Sequence, residues 1–246
     1  MSTVSASPAV GAAPTDGESA LAVASLRLAK DLAGGAALWC VSSWPHHARH
    51  LAVEFVHPVL VGARAVPAVA VDLDAGCAAL RTATRPGDVV VLLGPGTDEH
   101  LADIASRCPA WGVRCLWLAV GADPPEGLGD HVARVADADD SAPYDGTVVR
   151  SLHVLWELVH VAFDHLGPMP APATEDDTHS CPTCADAADV GEVASATPGS
   201  GTAHVRIGGT ISQVDVTLVG PVAVADLLLV HAGVALGAVE PQASRS

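Results

Sequence analysis

Asp88-Val89-Val90-Val91-Leu92-Leu93-Gly94-Pro95-Gly96 is the stretch on which the fold turns. Its apolar residues run from Val89 to Leu93 without a break, and the first three are β-branched. A strand of that composition is buried on both faces, because a strand with one wet face alternates apolar and polar side chains. Gly-Pro-Gly then turns the chain, and from Asp98 to Cys108 the apolar residues fall at helical spacing. A doubly buried strand feeding a helix is the unit of a parallel sheet with crossover helices.

The same alternation extends in both directions. Upstream, Ala20 to Leu32 has helical spacing and stops at Gly34-Gly35, and Ala36 to Val41 reads as a buried strand. Helical pattern follows from His46 to Val61, strand from Ala68 to Val71 and helix from Asp74 to Thr84. Downstream, Arg114 to Val120 and His131 to Val135 read as strands, and Val148 to His165 as a long amphipathic helix. The expectation is one α/β domain over residues 21–166, with helices on both faces of a parallel sheet.

Both ends of that domain change in composition. Residues 1–20 are rich in Ser, Ala, Pro and Gly and read as a flexible tail. Residues 167–180 are proline-rich, carry the acidic run Glu175-Asp176-Asp177 and read as a linker. Over 181–240 the pattern shortens to strands at Val190 to Ala196, Thr202 to Ile207, Ile211 to Val219 and Leu227 to Val230. Val214, Val216 and Leu218 alternate with Asp215, Thr217 and Val219, as a single buried face requires. Short strands so closely spaced predict a small, OB-like β-barrel, followed by a tail at 241–246.

Composition limits the function. The chain has 246 residues and a formal net charge of −16, which argues against binding a nucleic-acid backbone. The apolar runs are short or interrupted, so no membrane span is expected. Met1 to Gly17 has no basic n-region, so no secretory signal is expected either, and the protein reads as cytoplasmic with reduced cysteines. Cys40, Cys77, Cys108 and Cys115 fall in or beside core elements and read as small buried hydrophobes.

Cys181-Pro182-Thr183-Cys184 is the one close cysteine pair. Cys184, the run Gln213-Val214-Asp215-Val216-Thr217-Leu218-Val219-Gly220 and the run Asp226-Leu227-Leu228-Leu229-Val230-His231-Ala232-Gly233-Val234-Ala235 together resemble HypC/HupF-type [NiFe]-hydrogenase maturation chaperones. The resemblance implies that Cys184 holds the iron of a transient Fe(CN)2CO unit, with a HypD-like maturation protein and the hydrogenase large-subunit precursor as partners. His231 matches the family's histidine, and Cys181 is an additional candidate iron ligand. The family's cysteine typically stands second in the chain, whereas Cys184 is internal. A structural zinc site that includes His179 is a second reading, although zinc needs four ligands. A thioredoxin-like redox pair is disfavoured, because this CxxC does not stand at a strand-to-helix turn.

In the first domain, His50-Leu51-Ala52-Val53-Glu54, the Pro67-Ala68 step and His153-Val154-Leu155-Trp156-Glu157-Leu158 resemble SIS domains of the phosphoheptose isomerase group. The resemblance implies a metal or acid/base cluster of His50, Glu54 and His153. The i, i+4 spacing of His50 and Glu54 puts both on one helix face. The phosphate loops depart from the group's pattern. Trp44 stands where a serine is expected, and Leu93 to Asp98 lacks the Thr-Ser-Gly-x-Ser pattern, with Asp98 itself repelling phosphate. The combined expectation is a noncatalytic chaperone or adaptor whose SIS-like domain is a docking scaffold or forms a homodimer, with Val148 to His165 as the candidate interface. The alternative is a metal-assisted sugar-phosphate isomerase with an appended barrel.

Overall fold

The computed structural model describes residues 17–59, 62–135, 138, 140–141, 143–144, 146–166 and 188–239. The expected linker at 167–180 and tail at 241–246 lie outside these residues, as do His179, Cys181 and Cys184.

The first domain alternates helices and strands: α1 (Gly17–Ala33), β1 (Leu38–Ser42), α2 (Pro45–Val56), β2 (Ala68–Val71), α3 (Gly76–Ala83), β3 (Val89–Pro95), α4 (Glu99–Trp111), β4 (Arg114–Val120), β5 (His131–Arg134) and α5 (Thr147–Leu166). The five strands form one parallel sheet in the order β2-β1-β3-β4-β5. β3 lies at its centre and is buried as its apolar run requires. Val89, Val91 and Leu93 face a core built with α1, α2 and α5, while Val90 and Leu92 face a second core built with α3 and α4.

Helix ends follow local chemistry. Asp98 caps α4 by accepting hydrogen bonds from the N–H groups of His100 and Leu101. Gly112 ends α4 at φ 72°, a left-handed conformation that favours glycine. The helical pattern read to Val61 stops at Val56 instead. Pro58 is the reason, since it pushes His57 out of helical geometry, to φ −126° and ψ 66°.

The second domain is a closed five-stranded barrel of β6 (Asp189–Ala196), β7 (Thr202–Ile207), β8 (Thr210–Asp215), β9 (Leu227–His231) and β10 (Val234–Ala238), in the order β10-β8-β7-β6-β9. Val193, Val205, Val214, Leu228, Val230 and Ala235 are among the side chains that fill it. Two details differ from the sequence reading. β8 ends at Asp215 rather than Val219, because the Asp215 carboxylate accepts hydrogen bonds from the Thr217 N–H and hydroxyl and turns the chain. The strand Val234–Ala238 is added, joined to β9 by a two-residue turn in which Ala232 and Gly233 have φ 50° and 81°. Among the described residues, no helix is long and apolar enough to cross a membrane.

Candidate functional site

In the first domain the sequence-selected residues come together. α2 buries His47, Leu51 and Phe55, which leaves His50 and Glu54 at the edge facing α5. α5 is anchored there by Trp156, whose indole N–H donates to the Glu54 carbonyl at 2.8 Å. His153, one turn earlier on α5, places Nε2 2.9 Å from His50 Nε2. Glu54 Oε1 lies 3.6 Å from His50 Nε2 and 3.8 Å from His153 Nε2. One donor atom from each of the three residues lies within 4.8 Å of the others. Burial pushes the His50 imidazole below its usual pKa, against the pull of Glu54, so it is neutral near pH 7 and has a lone pair to offer. Two imidazoles and a carboxylate are the donor set of an open tetrahedral zinc site or a two-histidine, one-carboxylate iron site.

The adjoining loops are arranged against an anion. Ser43 Oγ donates to Asp98 Oδ2 at 2.5 Å, and Ser42 Oγ accepts from the Trp44 N–H at 3.0 Å. Asp98 Oδ1 takes the first N–H groups of α4, the donors a phosphate would use. Gly94 packs against Ser43, so closely that a Cβ there would fall 2.2 Å from Ser43 Oγ. The cleft beside this loop, about 230 Å³, is lined among the described residues by Glu99 and Asp123 with Gly96, Thr97, Ala102, Pro124 and Pro125, and the neighbouring Arg134 is already paired with Asp123. A phosphorylated sugar added to the protein is therefore expected to leave its thermal unfolding temperature unchanged, a result differential scanning fluorimetry checks.

The thiols of the first domain are unsuited to metal chemistry. Cys40, Cys108 and Cys115 are buried and Cys77 is half-buried. Burial raises the Cys40 pKa. Burial and a hydrogen bond donated to Asp103 push Cys77 up to about 12. A hydrogen bond with Cys115, reinforced by burial, raises Cys108. A protonated thiol is a poor ligand and a poor nucleophile.

In the barrel, His231 ends β9 and is half-buried. Asp189 pairs with Val230 across β6 and β9, so the chain enters β6 beside His231. Cys184 precedes Ala188 by four residues, a tether that spans at most about 14 Å. Residues 187–246, the barrel included, match the model of the HupF/HypC family. The barrel is a HupF/HypC-type domain.

The remaining comparisons concern the whole chain. No curated protein matches it. Similar solved structures include a phosphoheptose isomerase from Francisella tularensis, 15% identical, covering 57% of this chain and 85% of its own, with a TM-score of 0.46. A phosphoheptose isomerase from Neisseria gonorrhoeae is 16% identical and covers 58% of this chain and 85% of its own, with a TM-score of 0.44. A phosphosugar isomerase described as involved in capsule formation, from Bacteroides fragilis, is 11% identical and covers 59% and 82%, with a TM-score of 0.45.

Sequence reading passes over one residue of the HupF/HypC domain. Glu192 points out of the barrel on β6, yet it is 2% exposed. Its outward side chain meets α3 and α4 of the first domain. The only sequence signal was a carboxylate between Gly191 and Val193, which is also the pattern of a wetted face.

Proposed function

We propose that the chain is a [NiFe]-hydrogenase maturation chaperone and adaptor. Its HupF/HypC domain helps assemble the Fe(CN)2CO unit, or deliver it to the hydrogenase large subunit, through the Cys184 thiol. The family match over residues 187–246 carries this reading. The chemistry supports it. Thiolate is a soft donor suited to low-spin iron that bears CO and cyanide. Cys40, Cys108 and Cys115 are buried and Cys77 is half-buried, and Cys184, with Cys181 beside it, is the thiol that the family resemblance points to. A tether of about 14 Å is long enough for Cys184 to approach His231, where the imidazole can hydrogen-bond the thiolate or a partner. A HypD-like maturation protein and the large-subunit precursor are the partners of this reading, and the cytoplasm is its compartment. The first domain acts as docking or dimerisation scaffold, and Val53 on α2 with Val154 and Val161 on α5 are apolar side chains exposed for that use. Affinity purification of the chain from cells maturing a hydrogenase is expected to bring down the large-subunit precursor and to lose it once maturation is complete. Recovery of neither the precursor nor a HypD-like protein would overturn the proposal.

The second reading, a metal-assisted sugar-phosphate isomerase, is favoured by the convergence of His50, Glu54 and His153. The Ser43–Asp98 pair opposes it by placing a carboxylate in the anion loop. A metal can be held there without isomerase activity. Calorimetric titration with zinc or ferrous ion is expected to show binding that His153→Ala weakens by at least about tenfold to a hundredfold, the loss that even an outer-shell partner causes. Aldose–ketose isomerisation by the metal-loaded protein would favour the enzyme.

A further inference from the structure

A buried carboxylate lies at the centre of the contact between the barrel and the first domain. Along β6, Gly191 and Val193 point into the barrel, while Val190 and Glu192 point out of it onto α3 and α4. Arg81, on α3, grips Glu192 bidentately, with Nε donating to Oε2 and Nη2 to Oε1, each at 3.0 Å. Arg107, on α4, donates from Nη1 to Oε1 at 2.7 Å, and the Trp111 indole N–H donates to Oε2 at 2.9 Å. Each carboxylate oxygen thus accepts two hydrogen bonds, all from the other domain.

Arg107 is itself held. Asp103 accepts from Arg107 at 2.9 Å. Burial disfavours the Asp103 carboxylate, but hydrogen bonds from Arg107 and Cys77 outweigh it and hold the group below its usual pKa. Two arginines and two carboxylates therefore cancel only while Glu192 is in place. Removing it leaves an uncompensated cation in a largely dry interface.

Two further contacts lie around the clamp. Arg107 Nη1 also donates to the carbonyl of Ala225 at 2.8 Å, in a barrel loop where Ala225 has the left-handed φ of 76°. A non-glycine residue holds that conformation at a cost, which the surrounding contacts have to offset. The Gly209 N–H donates to the Ala110 carbonyl at 2.9 Å, so the β7–β8 hairpin abuts the end of α4. A Cβ on Gly209 would lie 2.4 Å from Pro86 and 2.9 Å from the Trp111 carbonyl.

We propose that Arg81, Arg107 and Trp111 form a carboxylate clamp that docks the HupF/HypC barrel onto its own α/β domain, with Glu192 as the anchoring residue. The occupant is the barrel of the same chain, because Glu192, Ala225 and Gly209 all engage the α3–α4 side together. Docking takes the β6–β7 face of the barrel out of contact with partners. It leaves Leu229 and Leu236, both exposed on β9 and β10, on the free face. It also holds the start of β6, close to the cysteine-bearing segment, against the first domain through Val190.

The test uses the full chain with a site-specific protease sequence inserted between residues 170 and 176. After cleavage the two wild-type pieces are expected to co-elute as one-to-one complexes in size-exclusion chromatography at micromolar concentration. Glu192→Ala is expected to weaken their association by about a hundredfold or more, so that they separate. Circular dichroism before cleavage checks that the variant is folded. If Glu192→Ala does not fold, Arg81→Met, on half-exposed α3 and outside the barrel, decides and is expected to weaken association by at least about tenfold. Separation of the wild-type pieces, or association of the folded variant as tight as wild type, would overturn the clamp. A dimer of the uncleaved wild-type chain that Glu192→Ala reduces to a monomer would overturn the assignment within one chain, whereas a dimer through α2 and α5 would be indifferent to Glu192. These readouts do not involve hydrogenase maturation, so failure of the clamp and failure of the proposed function are distinguishable.

Discussion

Asp88→Ala is expected to lower the stability of the first domain by about 3–5 kcal/mol, a large share of the roughly 5–15 kcal/mol that holds a domain folded. Asp88 begins the run that decides the fold and is buried. Its Oδ1 accepts from the Ala37 N–H at 2.9 Å, and its Oδ2 accepts from the Trp39 indole N–H and the Arg85 N–H, both at 3.0 Å. One carboxylate thus ties the start of β1 and the loop after α3 to the start of β3. Alanine leaves three donors without their acceptor, at about 1–3 kcal/mol each, and water from the cleft that Asp88 lines with Lys30, Arg85 and Arg114 offsets part of the total. Asp88→Asn is expected to recover only part of the loss, because an amide offers one acceptor oxygen where the carboxylate uses two. Guanidinium unfolding followed by tryptophan fluorescence, with Trp39 close to the change, measures the effect. The thermal midpoint should fall by about 10 °C. A loss below about 1 kcal/mol would mean that water replaces the carboxylate.

How much of this was legible follows from what each signal depends on. β3 was legible because Val89 to Leu93 is apolar on both faces, which few other environments tolerate. The stop at Gly34-Gly35 was legible from residue chemistry alone. The end of β8 was not, because Val216 and Leu218 continue the alternation and only the side chain of Asp215 breaks the strand. β10 was hidden by its turn, since Ala232 takes a left-handed φ that favours glycine or asparagine. His50 and Glu54 could be paired from i, i+4 spacing. His153 lies 103 residues beyond His50, and only the family resemblance linked them. Glu192 had no comparable signal: Arg81 and Arg107 lie 111 and 85 residues away, and local sequence carries no record of such a contact.

Cys184→Ala is expected to reduce hydrogenase activity in maturing cells to the level found without the protein, with the chain itself present in normal amount. The variant removes the one thiolate the account uses to hold iron and leaves every described contact of the fold in place. Cys184→Ser is expected to fail as well, because a hydroxyl is a hard donor and binds low-spin iron weakly. Cys181→Ala is expected to act less severely, since Cys184 is the nearer of the two to the barrel. Glu192→Ala offers a contrast: it loosens the domains and leaves the thiol intact. Full activity in cells carrying Cys184→Ala would remove the thiol from the mechanism, whatever the barrel binds.

Infrared spectroscopy of the chain purified without oxygen from maturing cells reads whether Cys184 carries iron with CO and cyanide. CO and cyanide bound to iron absorb where protein does not, so the bands report the cargo itself. CO and cyanide bands together with iron are expected in the wild-type protein, and their loss in Cys184→Ala. Wild-type protein without bands or iron, or variant protein with the same bands, would contradict that role of Cys184.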